Sequence, residues 1–250
     1  MIDIHSHIMP SVDDGCRDLN ECLEVIKKAS KVGVKKIFAT PHFKEPKHSV
    51  YKKDIDLFVN DINKLLISEN IDVEILCGSE IKIISNLIDL VKDGSLSTLN
   101  NSKYILIELD LHVKTINIVN IIKDIVLQGY APIIAHPERY DYIVKDYREA
   151  IAYVEAGALL QLDIGSLNGR YDLRDKKTSL KLLKHNLIHL WGSDSHGLNC
   201  VYDNFELVLK VLKKTVKEDI YNDIVFNNPN KVYMNEDIKI FDIKKSKFFR

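Results

Sequence analysis

Met1-Ile2-Asp3-Ile4-His5-Ser6-His7 opens the chain, and Asp13-Asp14-Gly15 stands shortly after. An apolar strand pattern runs straight into a His-x-His. Residues i and i+2 of a strand point to the same side, so His5 and His7 can offer two imidazoles to one ion. A lone His-x-His is weak evidence. Its weight comes from the residues at the ends of the later strand patterns.

Working outward, apolar strand-like runs cover residues 2–4, 36–39, 73–77, 104–108, 131–135, 158–162 and 188–192. Helical patterns lie between them. One spans 19–32 and is closed by Gly33, and another spans 55–67. A short one, capped by Ser85, ends before Gly94. Two more span 116–127 and 147–156, closed by Gly129 and Gly157. Glycine just past the last periodic residue is a natural helix stop. Alternating strands and helices argue for parallel strands with right-handed crossovers, here in a barrel or barrel-like sheet. An open doubly wound sheet is the other option, but its dinucleotide fingerprint is missing. Beyond Lys214 the pattern turns helical and polar, with a short possible strand at 232–234. We therefore expect one α/β domain over residues 1–235 and a basic, aromatic, flexible tail over 236–250.

At 250 residues and 46% hydrophobic, the chain can bury the core of one such barrel. A net charge of −1 provides no basic field for nucleic acid. No cationic segment precedes an apolar stretch, so no signal peptide is expected. The apolar run at 116–127 is interrupted by Asn117, Asn120, Lys123 and Asp124, so no membrane span is expected. Cys16, Cys22, Cys77 and Cys200 form no Cys-x-x-Cys pair and read as free thiols of a reducing cytoplasm.

In a parallel barrel the C-terminal strand ends open onto one face, where active sites lie. The residues at and just beyond the strand ends bring His5, His7, Asp14, His42, Glu80, Glu108, His136, Asp194 and His196 to that mouth. A zinc site with an open position takes about three protein ligands, so this set suits two or three divalent ions with shared carboxylates. Imidazole mixed with carboxylate favours Mn, Fe or Zn over Mg or Ca. Three such ions against four carboxylates leave about two positive charges, a site that attracts a phosphate dianion. Asp13 reads instead as a turn or capping residue, and His48, His112, His185 and His189 as ordinary surface or core residues.

The stretches 2–7, 13–15, 39–42, 135–140 and 192–196 resemble the polymerase-and-histidinol-phosphatase superfamily. Within it, the chain looks like the bacterial protein-tyrosine phosphatases of the CpsB/YwqE type, regulators of capsular and exopolysaccharide synthesis. His136-Pro137-Glu138-Arg139 is the most specific element of the resemblance. The resemblance implies a distorted (β/α)7 barrel and a trinuclear, manganese-dependent centre. It also implies action on the phosphotyrosine cluster of a bacterial tyrosine kinase. His5, His7, Glu80 and Asp194 would hold one ion, Glu80, Glu108 and His136 a second, and Asp14, His42 and His196 a third. Arg139 would bind phosphate, and Arg139, His136 and His42 are the candidate catalytic residues. The family's second arginine after Asp-x-His is missing from 197–205, where Lys44, Arg17 or Arg170 are the available substitutes.

The expected chemistry is attack on phosphorus by water activated between ions, in line with the phenolic oxygen. Tyrosine, with a pKa near ~10, leaves more readily than a serine alkoxide. A cysteine phosphatase needs arginine six positions after its thiolate. Six after Cys16, Cys77 and Cys200 stand Cys22, Ile83 and Glu206. The alternatives are an amidohydrolase, a TatD-like nuclease, a histidinol phosphatase and a module that only binds a kinase tail. An amidohydrolase often carries a modified lysine where Glu108 stands. The cations of the tail, Lys239, Lys244, Lys245, Lys247 and Arg250, could touch anionic lipid, and a solubilising end is the plainer expectation.

Overall fold

The computed structural model describes residues 1–44 and 46–244. β1 (Ile2–Ser6) runs parallel to β2 (Lys36–Ala39). After β2 the chain bends through Thr40-Pro41 and restarts as β3 (His42–Lys44), which pairs antiparallel with β4 (His48–Ser49). The same break recurs after β5 (Glu74–Cys77), where Gly78-Ser79 leads into β6 (Glu80–Lys82). Then come β7 (Tyr104–Glu108), β8 (Ala131–Ala135), β9 (Leu159–Asp163) and β10 (Leu190–Gly192).

The lower halves form a three-stranded sheet, β1-β2-β5. The upper halves join a seven-stranded one, β10-β9-β8-β7-β6-β3-β4. The circle closes where β10 meets β1. There the Asp194 amide donates to His5 O and the His7 amide to Ser195 O, both at 3.0 Å. The seven strand patterns thus run in order round the expected distorted (β/α)7 barrel, with two of them each broken into a pair.

Around it lie α1 (Leu19–Lys31), α2 (Lys52–Ser68), α3 (Leu87–Lys92), α4 (Ile118–Leu127), α5 (Asp141–Lys145) and α6 (Arg148–Glu155). They are followed by α7 (Leu173–Lys184), α8 (Phe205–Thr215), α9 (Glu218–Asn222) and α10 (Asn228–Met234). Three differences from the sequence expectation have physical causes. Asn86, not Ser85, precedes α3. Residues 232–234 are helical in α10, because Pro229 starts a helix there and Val232 is buried against the inner barrel residues. α7 carries no clear sequence signal, since its buried face holds Asp175, Thr178 and Ser179 beside Leu182 and Leu183, which erases the apolar period.

Ile2, Ile4, Phe38, Leu76, Tyr104, Leu106, Ile133, Leu159 and Leu190 fill the barrel interior. Residues 236–244 of the expected tail lie against the barrel. Tyr104 Oη donates to Glu236 O at 2.5 Å, Asn186 Nδ2 to Asp242 O at 3.0 Å, and Phe241 stacks on His189. Residues 245–250 fall outside the described residues. Among the described residues no helix is long and apolar enough to cross a membrane.

Asp3 fastens the β1–β10 closure from behind. Its fully buried carboxylate accepts from the Ser193 amide at 2.9 Å, the His5 amide at 3.2 Å and Tyr202 Oη at 2.5 Å. Burial raises the Asp3 pKa even against these donors. Tyr202→Phe deprives that carboxylate of one donor. It should lower the unfolding free energy in urea by about 1–3 kcal/mol with the m-value unchanged.

Candidate metal centre

The strands that resume after the two breaks carry two members of the centre. β3 and β6 pair in parallel with His42 opposite Glu80, so two chain restarts deliver an imidazole and a carboxylate side by side. His42 Nδ1 lies 2.8 Å from Glu80 Oε2. That approach lacks hydrogen-bond geometry, and neither atom finds another partner. Glu80 is completely buried, and the same Oε2 stands 3.5 Å from His5 Nε2 and 3.4 Å from His7 Nε2. Its other oxygen, Oε1, meets His136 Nε2 at 2.9 Å.

β1 contributes two consecutive inward positions, Ile4 and His5, which a regular strand cannot do. The register against β2 slips between Asp3 and Ser6, a bulge of the kind that re-aims a side chain. Space below His5 comes from Gly192, where a Cβ would stand 2.5 Å from His5 Cβ. Gly15 allows the same close approach at His7, where a Cβ would fall 2.1 Å from the carbonyl oxygen.

The outer nitrogens of these imidazoles are committed. His5 Nδ1 donates to Gln161 Oε1 at 2.9 Å, and Gln161 Nε2 donates to Leu162 O, which orients the amide. His7 Nδ1 donates to Asp13 Oδ2 at 2.9 Å. These bonds place a proton on each Nδ1, so in the neutral rings both Nε2 atoms are free to accept, 3.1 Å apart and facing each other. Asp194 Oδ1 lies 3.3 Å from each of them. Two lone pairs and two carboxylates converging on one point need a cation, so the donor set fits a divalent ion.

Two further groupings adjoin this one. His42, Glu80 and Glu108 have ligand atoms within 4.8 Å of one another, as do His7, Asp14, His42 and His196. At the rim, Asp14 Oδ1 lies 3.4 Å from His42 Nε2 and 3.3 Å from His196 Nε2. All nine side chains named from the strand ends therefore converge on one mouth. Among the other histidines only His48 borders it, its ring 6.2 Å from that of His42. His112 pairs with Asp141, and His185 and His189 lie against residues 236–244.

His136 and Asp194 both have left-handed backbones, with φ of +33° and +46°. Such strain in non-glycine residues collects where a side chain must be aimed. Next to His136, Glu138 is fully buried and accepts from the Asp163 amide at 3.1 Å and Ser166 Oγ at 3.0 Å, which fixes the loop. Arg139 then donates from Nη1 to Asp194 Oδ2 at 2.7 Å and lies over the Tyr171 ring at 4.6 Å. Asp163 stands close by, its pKa pushed up to about 6 by burial and by the charge of Asp194.

Sequence reasoning misses Asp13, Gln161, Glu138 and Asp163 as members of the centre. Asp163 ends its strand as the nine do and is legible by the same rule. Of the three spare cations, Arg17 is held by Glu21 with 79% of its side chain exposed, and Arg170 is tied to Asn199 O. Arg170 nonetheless lies over the Tyr171 ring at 5.5 Å, near enough to Asp163 to lower its pKa, and Lys44 stands 3.5 Å from Glu108 Oε2. The cysteines are buried, and burial pushes Cys16 up to about 12, far from a ready thiolate.

Asp13→Ala leaves His7 free to turn, and loss of such a partner costs about 10–100-fold in ion affinity, which calorimetric titration can measure. Burial alone would lower the His42 pKa, but Glu80 and Asp14 carry it to about 9. Those carboxylates stabilise the folded, ion-stripped protein while His42 is charged. That stabilisation is complete below the ordinary value of 6.5 and fades as pH rises through about 9. Ion binding must expel the same proton, so affinity for divalent ions should climb across that window.

Comparison with known proteins agrees with this geometry. The family described as "Capsular polysaccharide synthesis, CpsB/CapC" matches residues 1–234. Tyrosine-protein phosphatase YwqE of Bacillus subtilis is 36% identical over 217 residues, covering 86% of this chain and 84% of that protein. The putative tyrosine-protein phosphatase CapC of Staphylococcus aureus is 31% identical, covering 100% and 99% of the two chains. A chain from the crystal structures of YwqE from Bacillus subtilis and CpsB from Streptococcus pneumoniae, described as metal-dependent tyrosine phosphatases, superposes with a TM-score of 0.93. Its identity is 32%, and the match covers 99% of this chain and 100% of that one. Histidinol phosphate phosphatase of Lactococcus lactis shares the fold, with a TM-score of 0.55 at 16% identity over 86% of this chain and 93% of its own. The chain belongs to the CpsB/CapC family.

Proposed function

We infer that this chain is a cytoplasmic, metal-dependent protein-tyrosine phosphatase, and that its substrate is the phosphotyrosyl tail of a bacterial tyrosine kinase controlling capsule or exopolysaccharide synthesis. The observation that carries the reading is Glu80, a buried carboxylate ringed by His5, His7, His42 and His136 with Arg139 beside Asp194 at the edge. His5, His7, Glu80 and Asp194 are proposed to hold one ion, Glu80, Glu108 and His136 a second, and Asp14, His42 and His196 a third. His42 also groups with Glu80 and Glu108, and His7 with Asp14, His42 and His196, so each would be available to a neighbouring ion. Manganese is the proposed metal, and the same donors accept iron or zinc.

When bound, divalent ions at such a centre supply an activated water near neutral pH and offset charge on the phosphoryl oxygens. The chain's own residues do the rest. Arg139 presents a planar fork that can hold two phosphoryl oxygens, which lysine cannot copy. Asp194 Oδ2 keeps that fork aimed, and the buried Glu138 keeps its loop in place. His42 and His136 flank Glu80 and fix both of its oxygens. Phenolate leaves readily enough that protonation is the smaller demand.

Phosphate release from a phosphotyrosyl peptide tests the reading, using metal-stripped protein with single ions restored. Activity should vanish on stripping and return with Mn²⁺. Arg139→Ala should lower kcat/KM by about a hundredfold or more, with Arg139→Lys recovering little. His136→Ala should lose ions as well as activity. Turnover that ignores chelators but disappears in Cys16→Ser or Cys77→Ser would refute the metal reading.

A further inference from the structure

Above the candidate ligands lies a second tier of charge that the proposed chemistry does not use. Lys44 stands two residues after His42 on β3, and Lys82 two residues after Glu80 on β6. The i, i+2 relation sends each lysine to the same side as its ligand, one step nearer solvent. The two differ in how they are answered. Lys82 Nζ meets Asp110 Oδ2 at 3.3 Å. That carboxylate is itself pinned by the amides of His112 and Val113 at 3.0 and 2.9 Å. Lys82 is thus neutralised in place.

Lys44 has no such dedicated partner among the described residues. Among the described residues its ammonium faces one carboxylate oxygen, Glu108 Oε2, at 3.5 Å. That oxygen is buried, lacks a hydrogen-bond partner and belongs to the grouping with His42 and Glu80. A carboxylate whose charge is shared with ions has less left to answer an ammonium, although it keeps lone pairs for the contact. With ions held at Glu108, Lys44 becomes a cation facing cations across open space, and an anion between them relieves the repulsion. The lysine side chain is 36% exposed, so a ligand entering the mouth can reach it. Arg139 stands on the β10 side, beside Asp194, whereas Lys44 stands on the β3–β7 side, beside Glu108.

We propose that Lys44 is a second phosphate-contacting side chain, meeting a non-bridging phosphoryl oxygen from the β3–β7 side while Arg139 holds the group from the β10 side. The proposal rests on the phosphatase reading for the same mouth and names what binds the substrate's phosphoryl group there. A point-charge ammonium on a flexible stem suits this place, because it can follow the phosphoryl group as charge shifts toward the leaving oxygen.

The test compares full-length wild type with Lys44→Ala, Lys44→Met and Lys44→Arg, all loaded with Mn²⁺. Bound manganese per chain is measured by elemental analysis, and inorganic phosphate is titrated by calorimetry. Manganese content should be unchanged, while Lys44→Ala and Lys44→Met weaken phosphate about tenfold or more, the usual scale for one charged hydrogen bond. Lys44→Arg should keep part of that affinity. kcat/KM should fall by similar factors for a phosphotyrosyl peptide and for p-nitrophenyl phosphate, because the contact is to the phosphoryl group and not to the peptide. Unchanged phosphate affinity overturns the proposal. So does manganese loss that accounts for the whole effect, which would make Lys44 a mere support for Glu108. If wild type binds phosphate yet releases none from phosphotyrosine, the phosphatase reading fails, and the titration still decides the role of Lys44.

Discussion

A carboxylate cannot lie in a dry interior unless positive charge surrounds it, and Glu80 lies there with no exposed surface. Much of the upper barrel answers that demand. His42 reaches one oxygen because β3 keeps with β6 the offset that β2 keeps with β5, and His136 reaches the other because its backbone turns left-handed. The strand breaks distort the barrel but leave that offset intact, so opposite charges stay side by side across β3 and β6.

Charge is shared in layers around that acid. Imidazoles stand innermost, and behind two of them Asp13 and Gln161 hold the outer nitrogens, so each ring has a set direction. At the rim, Arg139 and Lys44 each lean on an acid, Asp194 or Glu108, that also faces the centre. The rim cations are consequently coupled to whatever occupies the centre, since one carboxylate serves both. This coupling distinguishes them from pairs such as Lys28 with Asp203, which join surface elements away from the mouth.

The order of strands and the identity of the convergent side chains are legible in the sequence because both obey periodic rules. Apolar runs mark strands, and a parallel barrel presents every strand end on one face. The breaks in the second and third strands are not legible. Thr40-Pro41 and Gly78-Ser79 read simply as strand ends, and nothing local says that pairing resumes with new neighbours. Asp13 looks like a turn residue and does cap Gly15, yet its second oxygen serves His7 and the His42 amide. One carboxylate has room for both tasks, and a linear pattern reports only the nearer. Gln161 sits inside a strand pattern as a lone polar residue, informative only once β9 and β1 are known to face each other. α7 stays hidden because small polar residues pack its buried face, and the segment at 232–234 misleads because Val232 and Tyr233 favour strands until tertiary packing overrides them.

Barrel closure by β1 against β10 has a consequence for how the molecule is made. β1 carries His5 and His7, while the acid and imidazole that complete their surroundings, Asp194 and His196, are translated last among the nine. Hydrogen bonds spanning about three quarters of the chain are slow to form, because loop closure precedes any reward. A nascent chain still short of β10 exposes β1 as an unpaired edge, the kind of strand that chaperones and wrong partners recognise. Maturation of the centre is thereby tied to the synthesis of β10, and ion acquisition must wait for that strand.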